Sequence, residues 1–134
     1  MNLVSLRVIT DDVARLVAFY ERATGTSASW ANDDFAELGT PSATLAIGHS
    51  RTVGLFGPGA AGAGENRSVI VEFLVDDVDE TYRRLGDGMD VVTSPTTMPW
   101  GNRSLLVRDP DGSLVNFFQP VTPGAIAKFA HLAR

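Results

Sequence analysis

Two charged residues and a small group of aromatic and amide side chains are the positions in this chain whose types suit chemistry. Arg7 and Glu72 stand 65 residues apart, at matching places in two similar segments. Glu72 has the chemistry of a general base or a ligand anchor, and Arg7 that of an anion clamp. The same two residues suit a buried ion pair, because an isolated buried carboxylate is costly and a cation occupies the corresponding position. Trp30, Met98, Trp100 and Phe118 supply broad polarisable surface on which a planar ligand can stack, while Asn102 and Asn116 supply amide donors and acceptors. Trp100 lies between Pro99 and Gly101 in a loop, where ligand stacking uses its area and core packing does not. Trp30 falls in a strand, where packing uses it equally well.

Other chemistries find no support in the residues. The chain has no cysteine, which removes disulfides, thiolate metal sites and thiol nucleophiles. Its histidines are His49 and His131, each read as a surface or partly packed imidazole. No Ser/His/Asp order with a nucleophile elbow is present, and the Gly-rich stretch Gly57–Gly64 lacks the Lys-Ser or Lys-Thr of a phosphate-binding loop. With 11 basic and 16 acidic residues, a net charge of −5 disfavours nucleic acid and anionic membrane surfaces as partners. Met1–Val13 reads as neither a signal peptide nor a membrane anchor, which makes the cytoplasm the expected location.

The elements that must position these residues follow from hydrophobic period and turn chemistry. Apolar alternation over Leu3–Thr10 predicts a strand, and Val13, Leu16, Val17, Phe19 and Tyr20 fall at helical spacing behind Asp12 as N-cap, with Gly25 as the stop. Strands are expected near Ser27–Ala31, Phe35–Gly39 and Ala43–Gly48, parted by Asn32-Asp33-Asp34 and Thr40-Pro41-Ser42. Residues 51–67 read as a Gly/Ala-rich linker, after which the pattern returns. Val69–Val75 is the next strand, and Asp76-Asp77-Val78 matches Asp11-Asp12-Val13. A short helix over Asp79–Leu85 and strands near Met89–Thr93, Arg103–Arg108 and Ser113–Gln119 complete a second βαβββ unit. The chain therefore reads as an α+β domain of 134 residues, with modules at about 1–50 and 68–121 and a weakly helical tail over 122–134.

These features together resemble the vicinal oxygen chelate superfamily, the glyoxalase, bleomycin-resistance and extradiol dioxygenase group. The carriers are Leu6-Arg7-Val8 leading to Asp12, Phe19-Tyr20-Glu21 before Gly25, and Val75-Asp76-Asp77-Val78-Asp79. To these is added Arg108-Asp109-Pro110-Asp111-Gly112 followed by Leu114-Val115-Asn116-Phe117-Phe118. The resemblance implies tandem βαβββ modules whose curved sheets surround a cavity, and in some members a divalent cation held by His and Glu. The matching positions here are Ile70 and either Ser5 or Leu3 for His, and Asn116 and a place near Ala46, with Gly48 next on the same strand face, for Glu, so no metal ligand and no cofactor is expected.

Alternation then sends Arg7, Glu72, Leu114, Asn116 and Phe118 toward the cavity and Val115 and Phe117 toward the helix side. The reading that follows is metal-independent sequestration of a hydrophobic or aromatic small molecule, as in antibiotic resistance of the bleomycin-resistance type, by a homodimer. Its ligand-contacting set is Arg7, Trp30, Glu72, Met98, Trp100, Asn102, Asn116 and Phe118. The alternative is a lyase, isomerase or dioxygenase of the same superfamily, either metal-dependent through other ligands or metal-free with Glu72 as base.

Overall fold

Asp12 and Asp77 each end a strand and begin a helix. The Asp12 carboxylate accepts from the Arg15 amide and the Asp77 carboxylate from the Glu80 amide, both at 3.0 Å, which satisfies helix N–H groups that have no partner within the helix. In the computed structural model, which describes residues 1–132, these two starts belong to two separate units.

The first unit comprises Met1–Asn66 with Pro110–Gly112. Here β1 (Ser5–Thr10) leads into α1 (Val13–Thr24), followed by β2 (Ser29–Asn32), β3 (Phe35–Gly39) and β4 (Thr44–His49). The sheet order is β1-β4-β3-β2, with β1 and β4 parallel and the remaining pairs antiparallel. Gly25 closes α1 at φ 73°, a left-handed conformation that costs glycine little, and its amide donates to the Glu21 carbonyl at 2.9 Å. Leu16, Val17 and Tyr20 are fully buried, as are Ala36 and Ile47. The apolar stripe predicted for this helix is therefore its core-facing side.

The second unit comprises Arg67–Asp109 with Ser113–Arg134, of which Ala133 and Arg134 lie outside the described residues. It runs β5 (Val71–Leu74), α2 (Val78–Leu85), β6 (Asp90–Thr97), β7 (Asn102–Arg108) and β8 (Leu114–Pro120), ending in α3 (Pro123–Phe129). Its order, β5-β8-β7-β6, repeats that of the first sheet. Val107, Val115, Phe117 and Leu105 are fully buried with Val78 and Leu85 of α2. Phe73 stacks on Phe117 with ring centroids 5.6 Å apart.

Two polar contacts hold α2 on this side of the sheet. The Gln119 side-chain carbonyl accepts from the Val78 amide at 3.1 Å. Arg103 of β7 donates to both carboxylate oxygens of Asp79, Nε at 2.8 Å and Nη2 at 2.9 Å. That fork holds the Asp79 carboxyl below its ordinary range, chiefly through the hydrogen bond from Arg103.

The structure refines three expected boundaries. The linker expected over 51–67 begins later, because Ser50–Leu55 forms a 3-10 helix capped by His49, whose Nδ1 accepts from the Arg51 amide at 3.0 Å. The strand expected over Val69–Val75 narrows to Val71–Leu74, leaving Val69 and Ile70 exposed before it. In the tail, Thr122 caps α3 and Pro123 occupies its first turn, where a missing N–H costs nothing. The part of the tail at Ala133 and Arg134 lies outside the described residues.

Each final strand is followed by a short helical segment that returns toward its own sheet. In the first unit the 3-10 helix packs on β1 and β4, and in the second α3 packs on β8. Gly101 fixes the second return, since its carbonyl accepts from the Val121 and Thr122 amides at 2.9 and 3.3 Å. A Cβ there would lie 2.2 Å from Thr122 Oγ1 and 3.1 Å from the Ala125 Cβ, on a backbone with φ 97°.

Gly101→Ala is expected to destabilise the chain by about 1–3 kcal/mol through the strained backbone alone, with the Thr122 collision added. Urea denaturation measures the loss, and limited proteolysis should show earlier cleavage within residues 121–132. The Arg103–Asp79 contact carries a pH signature. Because the folded Asp79 value is depressed, its stabilisation is present above the unfolded carboxyl value and is lost as pH falls through the folded one. The stability of wild type and Arg103→Met should therefore differ at neutral pH and converge below the ordinary aspartate range; a gap that persists in acid would show that the contact is not ionic.

Candidate functional site

Strand alternation divides the second sheet into a face packed on α2 and a face turned from it. Val115 and Phe117 lie on the α2 side, so Asn116 and Phe118 lie on the other, as the alternation predicts. The register places Glu72 beside Asn116 in the parallel pair, Leu106 on its other side, Ser104 beside Phe118 and Asn102 beside Pro120. Glu72, Asn116, Ser104 and Asn102 thus share one face.

This face is rich in hydrogen-bond acceptors. Asn116 Nδ2 donates to Glu72 Oε2 at 2.7 Å, which fixes the amide and leaves Asn116 Oδ1 pointing elsewhere. Asn116 Oδ1, Asn102 Oδ1 and Ser104 Oγ are all buried with no hydrogen-bond partner among the described residues. Ser104 itself is only 4% exposed. Each such oxygen costs about 1–3 kcal/mol while unpaired, so a donor supplied from outside the chain would recover that penalty. Ser104 is absent from the residues picked out in the sequence, although the parity that connects Asn102 to the strand also reaches it.

The aromatic candidates separate. Trp100 is 68% exposed, in a turn closed by hydrogen bonds from the Met98 amide to the Asn102 carbonyl at 2.7 Å and from the Gly101 amide to the Met98 carbonyl at 3.0 Å. Met98 is half-buried in the same turn. Phe118 faces the same way as Asn116 but meets Phe129 of α3 edge-on, with centroids 5.2 Å apart, and is nearly buried. The chain's own tail covers the wall that Phe118 was expected to offer a ligand. Trp30 pairs with Ala36, so it lies on the α1 side of the first sheet and not on the face of Arg7. It stands on the edge strand β2 and is 46% exposed, so much of its ring remains in solvent.

Arg7 and Glu72 are both exposed. Each stands on an edge strand of its own sheet, where one flank has no neighbouring strand to cover it. Arg7 places its guanidinium over the rings of Phe35 and Phe56, 4.7 and 5.1 Å from the centroids. Phe35 lies on the Arg7 face because it pairs with Gly48, which in turn pairs with Ile9. Neither ring was singled out in the sequence, because one lies two strands away and the other beyond the 3-10 helix.

The chain belongs to the Glyoxalase/Bleomycin resistance protein/Dioxygenase superfamily, whose family model matches residues 2–117. A solved structure described as "conserved domain protein" is 32% identical, covering 90% of this chain and 99% of its own with a TM-score of 0.72. A glyoxalase/bleomycin resistance protein/dioxygenase from Nocardioides is 24% identical over 92% of this chain and 86% of that one, with a TM-score of 0.75. A family enzyme from Burkholderia phytofirmans PsJN is 16% identical and covers 90% of this chain and all (100%) of its own, with a TM-score of 0.78. The last two establish shared fold only. No curated protein matches.

The residues at the superfamily's metal positions do not fit a divalent ion. Ser5, Ala46, Ile70 and Asn116 supply no imidazole or carboxylate. Among the described residues, no group of three or more His, Cys, Asp or Glu could hold a metal. His49 is committed to capping, and His131 is an exposed residue of the tail.

A double-mutant cycle with Glu72→Ala and Asn116→Ala should yield a coupling of about 1 kcal/mol, the usual net value of one hydrogen bond, by equilibrium denaturation. Strict additivity would show that the amide does not hold the carboxylate in solution.

Proposed function

We propose that this chain binds a small organic molecule without using a metal, and that sequestration of a hydrophobic or aromatic compound is its activity. The observation that carries the reading is an exposed Trp100, held in a closed turn, next to a strand whose Asn102 and Ser104 oxygens are buried and unpaired. A tryptophan largely in water offers stacking area, and unpaired oxygens offer fixed polar contacts, the combination typical of small-molecule sites. Affinity in such a site comes from buried apolar area and stacking, less the cost of ordering the ligand. Membership of a superfamily whose name includes bleomycin resistance supports sequestration as the biological outcome, with antibiotic resistance as its use. Met98 and Asn102 flank the Trp100 turn and belong to the same contact set.

The chain is further proposed to act as a homodimer in the cytoplasm. Leu3, Val4 and Leu6 are exposed on and before the edge strand β1, and an unpaired strand edge bearing apolar residues is a surface that a second copy can cover. Among the described residues no helix is long and apolar enough to cross a membrane. Analytical ultracentrifugation at micromolar concentration should give twice the chain mass, and a single-chain mass would reject the dimer.

Planar aromatic compounds should quench the tryptophan fluorescence of the protein. Trp100→Ala should weaken their binding roughly thirtyfold, the loss of about 2 kcal/mol expected of a truncated aromatic anchor, with little change in denaturation midpoint because the side chain is mostly in solvent. Loss of stability without loss of affinity would assign Trp100 to packing and reject its place in the site.

A further inference from the structure

The distribution of unpaired groups on the second sheet is one-sided. Asn116 Oδ1 and Asn102 Oδ1 are acceptors only, Ser104 Oγ accepts as readily as it donates, and Glu72 adds an ionised carboxylate. Among the described residues Glu72 has the Asn116 amide as its polar partner and no cation. One Asn116 N–H is used on that carboxylate, and the atoms left buried and unpaired beside it are oxygens next to one negative charge. Ser104 is buried and unpartnered, and its opposite neighbour Phe118 places it two residue pairs along from Asn116, at the next pair on the same face. Diagonal neighbours on adjacent antiparallel strands stand about 7–8 Å apart, with side-chain atoms closer, a span that one multi-donor group can bridge.

From this arrangement we infer that the ligand carries a cationic nitrogen, a protonated amine or a guanidinium, which donates to Asn116 Oδ1 and Ser104 Oγ with Glu72 as its counter-charge. The inference rests on the small-molecule reading above and adds the chemical class of the ligand. An anionic head would set like charge against Glu72, and a neutral head would leave that carboxylate without a counter-charge. A cationic head satisfies the orphan oxygens and the carboxylate together, through charge-assisted hydrogen bonds stronger than neutral ones. The net charge of −5 acts in the same direction at longer range by drawing cations toward the protein.

The test is calorimetric titration of the full chain at neutral pH with three probes on one skeleton: 1-naphthylmethylamine, 1-naphthalenemethanol and 1-naphthoate. The amine is expected to bind at least about tenfold more tightly than the alcohol, and the carboxylate most weakly, by the value of a charge-assisted contact. Glu72→Gln, an isosteric change at an exposed position, should bring the amine-to-alcohol ratio close to one. Ser104→Ala should lower amine affinity while raising the melting temperature of the free protein, since it removes an unpaired buried oxygen. A merely structural serine would not give those opposite signs. Equal affinities for amine and alcohol, or a preference that survives in Glu72→Gln, would overturn the cationic assignment and leave the small-molecule reading standing. Absence of binding by all three at millimolar concentration would overturn both.

Discussion

The parallel pairing of the first and last strand of each unit, β1 with β4 and β5 with β8, governs where every other side chain points. In the second sheet that register sets Glu72 against Asn116 and Phe73 against Phe117. A slip by one residue would turn Phe117 and Val115 out from under α2 and bring Glu72 and Asn116 into the apolar core. The penalty is steep on both counts, exposed aromatic area on one side and a buried carboxylate on the other. The register is therefore held by the hydrophobic pattern, and the polar face is its complement.

Helix attachment follows from the same division. Arg103 and Gln119 have the parity of the core residues, and they reach α2, one through Asp79 and the other through the Val78 amide. Residues of the opposite parity, Asn102, Ser104 and Asn116, are left on a face where regular backbone pairing is complete and side-chain oxygens remain unpaired. A strand sequence can thus serve stability with alternate residues and ligand recognition with those between them. The short helical return after the last strand adds a second layer, since Phe129 of α3 takes up the surface of Phe118.

The two units use one plan with different chemistry. At the positions where the second presents Glu72 and Asn116, the first presents Arg7 and Ala46, paired in the corresponding register. Arg7 is steadied by two aromatic rings, whereas Glu72 is steadied by an amide. Duplication of a βαβββ unit preserves the strand order because the core pattern requires it, and leaves the residues of the opposite face free to diverge.

Most of the fold was legible in the sequence, because helix and strand periods, Asp caps and Gly stops are local signals. Asp12, Gly25, Asp77 and the Asp109–Gly112 turn all act where their neighbours in the chain say they should. Parity along the last strand likewise identified Asn116 and Phe118 as partners on one face. What the sequence could not supply was which strand lies beside which, and at what offset. That information placed Trp30 opposite Ala36, covered Phe118 with Phe129, left Arg7 and Glu72 exposed on edge strands, and brought Ser104 into the row of unpaired oxygens. Local period fixes the direction of a side chain relative to its own strand, but a site is made from several strands, and its composition is decided only when their registers are set by the packing of the whole core.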